Sequence, residues 1–339
     1  MPEKFTITAK GKGIHEREPA PEPAPGQILC RSLSVGLCGT DRLIFAGGMP
    51  AVRYPITPCH EVSAKVLRDN SGRGLAPGTP VCIDPYKNCG ACHACRQGRA
   101  NCCKFNQTLG VQRDGILREQ FVIDGERVYA IPPGADPRLF FLTEPLALAL
   151  HIVERAGPVE GRWCLVVGAG NVGKLVIRLL DGLGASIIAC DVVRENLADA
   201  QNLGARLVLD GNDPSAESQV LEVTAGEGVS VAFETAGQSR ALETCIRFAA
   251  FAGRVIVVGH SKQPSSILGS EIVFKELDVL GSRNSQGQMP RAMAMLAEEP
   301  EKWARMISHR FPFTRAEDAF RLTQDDSEPH SKIVVDFPD

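Results

Sequence analysis

No run in the 339 residues reaches the roughly 18 consecutive apolar positions that a membrane-spanning helix needs. The opening stretch MPEKFTITAKGKGIHEREPAP also lacks the apolar core of a secretory signal. The chain is therefore expected to be cytoplasmic, with no membrane partner. Excess positive charge is missing too: the formal charge is −3 and the isoelectric point near 6.2, so no global field draws the chain to nucleic acid or to an anionic surface. Internal repeats and low-complexity tracts are absent. What remains, 44% hydrophobic and 23% charged residues, is an ordinary globular composition, and the length allows two domains with sizeable cores. A small polar substrate fits such a chain.

Cysteine, by contrast, is plentiful and unevenly placed. Five of the twelve fall within fifteen residues, in KNCGACHACRQGRANCC. Cys89, Cys92, Cys95 and Cys103 are spaced so that two tight knuckles and a return segment bring four thiolates to the corners of a tetrahedron. Gly90, Ala91 and Gly98 let the backbone turn around a metal whose sulfur ligands sit at about 2.3 Å. Buried cysteines, disulfides and an iron–sulfur cluster are the competing accounts. Chance does not cluster thiols this way, and the bacterial iron–sulfur pattern wants a gap of three residues and a proline after the last cysteine, where this chain has Lys104. A closed structural zinc in a lobe over about 86–106 is the reading, with Cys102 the surplus thiol. A reducing compartment suits this cysteine content.

The texture of the chain changes part-way along. The first 150 residues read as short strands broken by proline and glycine, among them Gln27–Val35 and Pro80–Asp84. From about Arg162 apolar strands alternate with helices: Cys164–Val167, Ser186–Cys190, Arg206–Leu209, Val229–Phe233, Arg254–Val258 and Leu277–Leu280. That alternation implies a doubly wound parallel six-stranded sheet. Val172, Leu175, Val176, Leu179, Leu180 and Leu183 recur at helical spacing and are expected to bury one face of the first helix, which Gly184 ends. After Gly281 the elements shorten, with a capping box expected at Thr314 and Glu317 and a last strand at Lys332–Phe337.

Between the first strand and helix of the alternating region stands LVVGAGNVGKL. Gly168 allows the tight turn, Gly170 close approach of backbone to a pyrophosphate, and Gly173 close packing of helix on strand, with Asn171 and Val172 in the same anion-facing loop. Asp191 closes the second strand twenty-three residues after Gly168, where a carboxylate accepts from ribose hydroxyls and repels a 2′-phosphate. The pair favours NAD over NADP. Arg194, close by, is the residue that could accommodate a phosphate.

GLCGTD at Gly36–Asp41, PCHE at Pro58–Glu61, the four-cysteine lobe, TEPLALALH at Thr143–His151 and GAGNVG occur in that order over nearly the whole chain. Together they resemble the zinc-dependent medium-chain dehydrogenase/reductase family. The resemblance implies a GroES-like catalytic domain over 1–148 and 287–339, with a Rossmann NAD-binding domain inserted over 149–286. It also implies a second zinc, two per chain in all. Cys38 and His60 match the catalytic zinc ligands; Glu61 and Glu144 match two glutamates, one completing the coordination and the other approaching through water or exchanging, with no choice between them. Thr40 is implied to take the hydroxyl proton, and Asp41 to hold the imidazole of His60. Cys59 stands where the family generally has glycine, and no ligand role is assigned to it.

Cys38 thiolate, neutral His60 and one carboxylate suit a zinc with a position left open for substrate. Such a metal lowers the pKa of a bound hydroxyl and activates an alcohol for hydride loss. Thr108–Gly115 (TLGVQRDG) and Gly281–Asn284 (GSRN) resemble segments of polyol and sugar-acid dehydrogenases, including L-galactonate and L-gulonate 5-dehydrogenases, so a secondary alcohol is expected, with Arg283 and Asn284 facing it. A simple secondary-alcohol or threonine-type dehydrogenase is the runner-up, and a non-catalytic nucleotide-binding homologue the reading from another class. His93 is read as an exposed loop residue, His151 as a core histidine, and Met289, Met293 and Met295 as packing for a late helix. A homodimer or homotetramer through the edge strand Leu277–Leu280 is expected, because an unpaired edge exposes its amides.

Overall fold

The structure, a computed structural model, describes residues 1–50, 52–261, 263–325 and 327–338. The chain forms two compact units, one made of residues 1–147 and 287–339 and the other of residues 148–286. The fold class is the expected one, a β-rich unit combined with a six-stranded parallel sheet flanked by helices.

The long strand Gln27–Leu37 organises the first unit. It pairs antiparallel with Glu61–Asp69, Lys332–Asp336 and Gln120–Asp124, and the sheet continues through Pro80–Ile83 to Val128–Ala130 on one side and Ile307–Pro312 on the other. Its first half alternates buried and half-buried positions; its second half, Ser32–Leu37, is buried throughout and leads directly into Cys38. Apolar side chains from these strands form one core with Phe5, Phe45, Phe313 and Phe320, the last stacked on Phe5 at 5.5 Å and tilted against Phe45 at 5.2 Å.

Two local expectations for this part are corrected. The capping box at Thr314 and Glu317 does not form: the chain enters through a 3-10 turn, Phe313–Arg315, so the helix Ala316–Leu322 starts one residue later with Arg315 at its cap. Glu317 instead accepts from Arg321 at 2.7 Å. The last strand stops at Asp336 rather than Phe337.

In the second unit six parallel strands lie in the order Leu207–Asp210, Ser186–Asp191, Trp163–Val167, Val229–Glu234, Ala249–Val257, Asp278–Gly281. Chain order reverses between the third and fourth of these, the place where doubly wound sheets bind ligands beyond the strands' carboxyl ends. The helix Asn171–Gly182 buries Leu175, Val176, Leu179 and Leu180 as its spacing predicts, while Val172, in its first turn, is only half-buried. Leu183, expected on that face, is exposed, because the helix has already ended and Gly184 turns the chain with φ +73°. Asp278–Gly281 is an edge of the sheet, and the helix before it, Gly269–Lys275, exposes Val273 and Phe274. No helix among the described residues is long and apolar enough to cross a membrane.

Phe320→Ala, which removes a fully buried ring packed against two others, is expected to cost about 3–5 kcal/mol, read as a lower denaturation midpoint for the unit that contains it.

Candidate active site

Antiparallel pairing assembles the first cluster. Gln27–Leu37 ends where Glu61–Asp69 begins, with Gly36 opposite Glu61, so Cys38 and His60 emerge at the same end of neighbouring strands. Cys38 Sγ lies 3.7 Å from His60 Nε2. A metal at about 2.3 Å from sulfur and about 2.05 Å from nitrogen, with a tetrahedral angle, sets that separation near 3.6 Å. The ligand atoms of His60, Glu61 and Glu144 lie within 4.8 Å of one another, as do those of Cys38, Asp41 and His60.

The two glutamates are held differently. Glu61 takes a buried ion pair: Lys332 Nζ donates to Oε1 at 2.9 Å and to Oε2 at 2.7 Å, and to the carbonyl of Leu37 at 3.2 Å. Glu144, second residue of the helix Thr143–Ala156, accepts at Oε1 from the hydroxyl of buried Tyr86. Tyr86 meets only that one oxygen of the carboxylate. Burial, followed by the nearby Asp41 and Glu61, pushes the Cys38 thiol well above its ordinary range. Burial raises Glu144 and Tyr86 as well, and Tyr86 therefore stays a donor. Lys332 is raised despite its burial, because Glu61, Cys38 and Glu144 favour its charge. A buried thiol, an imidazole and two carboxylates converging within 4.8 Å in groups of three are a donor set suited to a divalent cation, so the residues present fit a zinc ion.

Asp41 does not hold the imidazole. It accepts instead from Cys38 N at 3.0 Å, Cys38 Sγ at 3.0 Å and Cys59 N at 2.9 Å, while His60 Nδ1 is buried without a partner among the described residues. The reason is local: Asp41 is the third residue of the helix Gly39–Phe45, and a carboxylate there reaches back to the helix's own cap. Thr40 stands half-buried on the same first turn. Cys59, at the position where glycine was noted as usual, adopts the left-handed conformation with φ +74°.

The second cluster is the four-cysteine lobe. Sulfur–sulfur separations are 3.5 Å for Cys92–Cys95, 3.9 Å for Cys92–Cys103 and 3.6 Å for Cys89–Cys103. A tetrahedron with sulfur about 2.3 Å from its centre has edges of about 3.8 Å. Backbone N–H groups of Cys95 and Lys104 pull the Cys92 thiol down to about 6. Desolvation and the crowding sulfurs push Cys95 up to about 12, a conflict that a cation at the centre removes. Cys102 is outside this group of four, and His93 is exposed.

In the second unit Gly168 has φ +100°, and a Cβ there would meet Ala236 N at 2.6 Å. A Cβ on Gly173 would lie 1.9 Å from the carbonyl oxygen of Gly168, so helix and turn touch at that point. Gly170, at the helix cap, faces no protein atom within 4 Å of a Cβ, so packing does not require glycine there. Asp191 ends its strand with the carboxylate fixed: Ala169 N donates to Oδ2 at 2.6 Å, Asn196 Nδ2 to Oδ2 at 3.3 Å and Val193 N to Oδ1 at 2.9 Å. Arg194 opens the next helix, exposed. Arg283 is exposed, and Asn284 half-buried with φ +52°, on the segment after the edge strand.

Residues 24–133 match the alcohol dehydrogenase GroES-like domain, and residues 171–298 the zinc-binding dehydrogenase family. An L-threonine 3-dehydrogenase of Pyrococcus furiosus is 31% identical over 337 residues, covering 95% of this chain and 96% of its own length. The chain belongs to the zinc-type medium-chain alcohol dehydrogenase family. An L-galactonate-5-dehydrogenase of Escherichia coli K12 is 29% identical, with 96% of both chains covered. A zinc-binding dehydrogenase of Sinorhizobium meliloti 1021, solved bound to NADP, is 29% identical, covers 99% of both chains and superposes with a TM-score of 0.90.

This dehydrogenase is thus an oxidoreductase whose metal-binding residue types were visible in its sequence and whose supporting residues were not. Lys332 carried one signal, a lysine opening a strand whose centre, Ile333–Val335, is apolar. Tyr86 carried its position three residues before Cys89.

Proposed function

We propose that this chain is a zinc-dependent dehydrogenase moving hydride between a secondary alcohol, of the polyol or sugar-acid kind, and NAD. The observation that carries the reading is the 3.7 Å approach of Cys38 Sγ to His60 Nε2 with the carboxylates of Glu61 and Glu144 beside them. Cys38, His60 and a glutamate hold the catalytic zinc, and the four lobe cysteines hold a structural one, two per chain. Glu144 is the better carboxylate ligand, since Lys332 occupies both oxygens of Glu61 while the Tyr86 hydroxyl meets one oxygen of Glu144. Zinc at this site supplies the Lewis acidity that lets an alcohol hydroxyl lose its proton near neutral pH. Thr40 receives that proton and passes it toward solvent. NAD, when bound, would take up the hydrogen and electron pair of the alcohol carbon, so that secondary alcohol and NAD become ketone, NADH and one proton. A non-catalytic homologue has little need of Cys38, His60, Glu61 and Glu144 together.

Asp191 supports NAD. Three donors fix its carboxylate where adenosine ribose hydroxyls donate and a 2′-phosphate is repelled. Substrate class draws on the L-galactonate relative and on Arg283 and Asn284, whose side chains suit a carboxylate or hydroxyl. The threonine-dehydrogenase relative makes an amino alcohol the second reading. Self-association through the edge strand is part of the proposal: Asp278–Gly281 leaves one side of a parallel sheet unpaired, and Leu268, Val273 and Phe274 are exposed just before it.

Metal analysis of the purified chain is expected to give two zincs, falling to one with loss of activity in Cys38→Ala; a wild type with one zinc, or an active variant, sinks the catalytic-metal reading. NADH appearance across sugar acids, polyols, threonine and simple alcohols chooses the substrate class, and turnover confined to threonine favours the second reading. Asp191→Ser is expected to raise the NADP/NAD ratio of kcat/KM by ~10-fold or more, ~1.4 kcal/mol; a wild type that already prefers NADP refutes the assignment. Sedimentation should show a dimer or tetramer, and a monomer at micromolar concentration removes the edge-strand interface.

A further inference from the structure

The four-cysteine lobe has almost no apolar interior. From Cys89 to Cys103, only Asn101 and Cys103 are buried among the residues of the lobe. Its base is a two-residue ladder, Tyr86–Lys87 paired with Gln107–Thr108, joined by a hydrogen bond from Leu109 N to Pro85 O at 3.2 Å. So small a segment, lacking a core, would take its order from a metal held by its four converging sulfurs. The residue that opens this ladder is Tyr86, and its side chain leaves the lobe altogether. The ring is 8% exposed, and its hydroxyl donates to Oε1 of Glu144 inside the Cys38–His60 cluster.

We infer that Tyr86 is a positioning residue linking the two metal clusters: the ordered lobe holds Tyr86, and Tyr86 holds one oxygen of Glu144 so that the other faces the catalytic metal. The inference rests on the metal assignment proposed above. It gives the four-cysteine lobe a role beyond local stability, since loss of its metal loosens the two-residue ladder and, through Tyr86, the carboxylate. Asp84 steadies the same point, its Oδ1 accepting from Tyr86 N at 2.9 Å. Among the described residues no hydrogen bond from the lobe reaches Glu61, which is held by Lys332 on the strand Lys332–Asp336.

The test is zinc affinity at the catalytic cluster, read by competition with a chromogenic chelator, together with the visible spectrum of the cobalt(II)-substituted enzyme. Tyr86→Phe is expected to lower catalytic-site affinity by ~10–100-fold and alter the cobalt spectrum, as loss of a ligand's hydrogen-bond partner does, while the lobe keeps its zinc. Cys95→Ser, which empties the lobe, is expected to weaken the catalytic site by a similar factor, and the double variant no further than either single one. Unchanged affinity in Tyr86→Phe overturns the inference, whatever the fate of Cys95→Ser. Additive losses in the double variant overturn the link while leaving Tyr86 as a local support. A wild type that holds metal only at the four cysteines removes the metal assignment itself, a result distinct from both.

Discussion

A crowded, nearly dry corner holding Cys38, Asp41, Glu61 and Glu144 is the electrostatic constraint on which the catalytic unit depends. Lys332 is the cation in direct contact, and it spends its charge on Glu61. Breaking a buried pair of this kind leaves an uncompensated charge, which costs several kcal/mol, on the order of 3–5. The remaining acceptors are better served by a divalent ion than by protons, as the raised Cys38 and Glu144 indicate. An ion that binds only the folded arrangement would stabilise this corner by mass action, linking its order to the metal.

Sheet register turns that electrostatic requirement into a defined geometry. Gly36 opposes Glu61 and Leu37 opposes Ile333, so the residues just beyond those pairings, Cys38, His60 and Lys332, collect at one end of three adjacent strands. A slip of one residue in either pairing sends the glutamate or the lysine to the other face. Gly36 is part of the same device: a Cβ there would sit 2.3 Å from Glu61 Oε2 and 2.7 Å from the ring of Phe141. The space that glycine leaves is filled by the carboxylate that Lys332 holds.

What the sequence made legible was local. The four lobe cysteines and the Gly168–Gly173 turn declare themselves because their spacing already encodes their geometry, and the six parallel strands follow from alternation of apolar runs with helices. Cys38 and His60 were readable only through the motifs around them. Lys332 and Glu61 are 271 positions apart, and only the strand order brings them together. Tyr86 is similar, 58 positions from Glu144 and hidden in a segment that reads as an approach to the cysteines. Asp41 misled for a different reason: its nearness in sequence to a ligand suggested service to His60, whereas a carboxylate at the third position of a helix serves the cap first.

The departure at Cys59 follows from the same aspartate. A non-glycine residue at φ +74° carries strain on the order of 1–3 kcal/mol and persists only where its surroundings over-determine the backbone. Those surroundings are visible. Asp41 Oδ1 accepts from Cys59 N at 2.9 Å, and Ile116 N donates to Cys59 O at 3.2 Å. Cβ atoms on Gly110 and Gly115 would stand 2.7 Å and 2.2 Å from the Cys59 backbone, so the loop is pressed against this peptide. A hydrogen bond to a charged acceptor contributes about 1.5–3 kcal/mol, enough to offset the strain. Asp41 thus grips the turn before His60 and, through Cys38 N, the turn after Leu37, with one carboxylate. The imidazole needs no direct bond to that carboxylate to be placed beside the thiol: fixing the two peptides from which the side chains spring is sufficient.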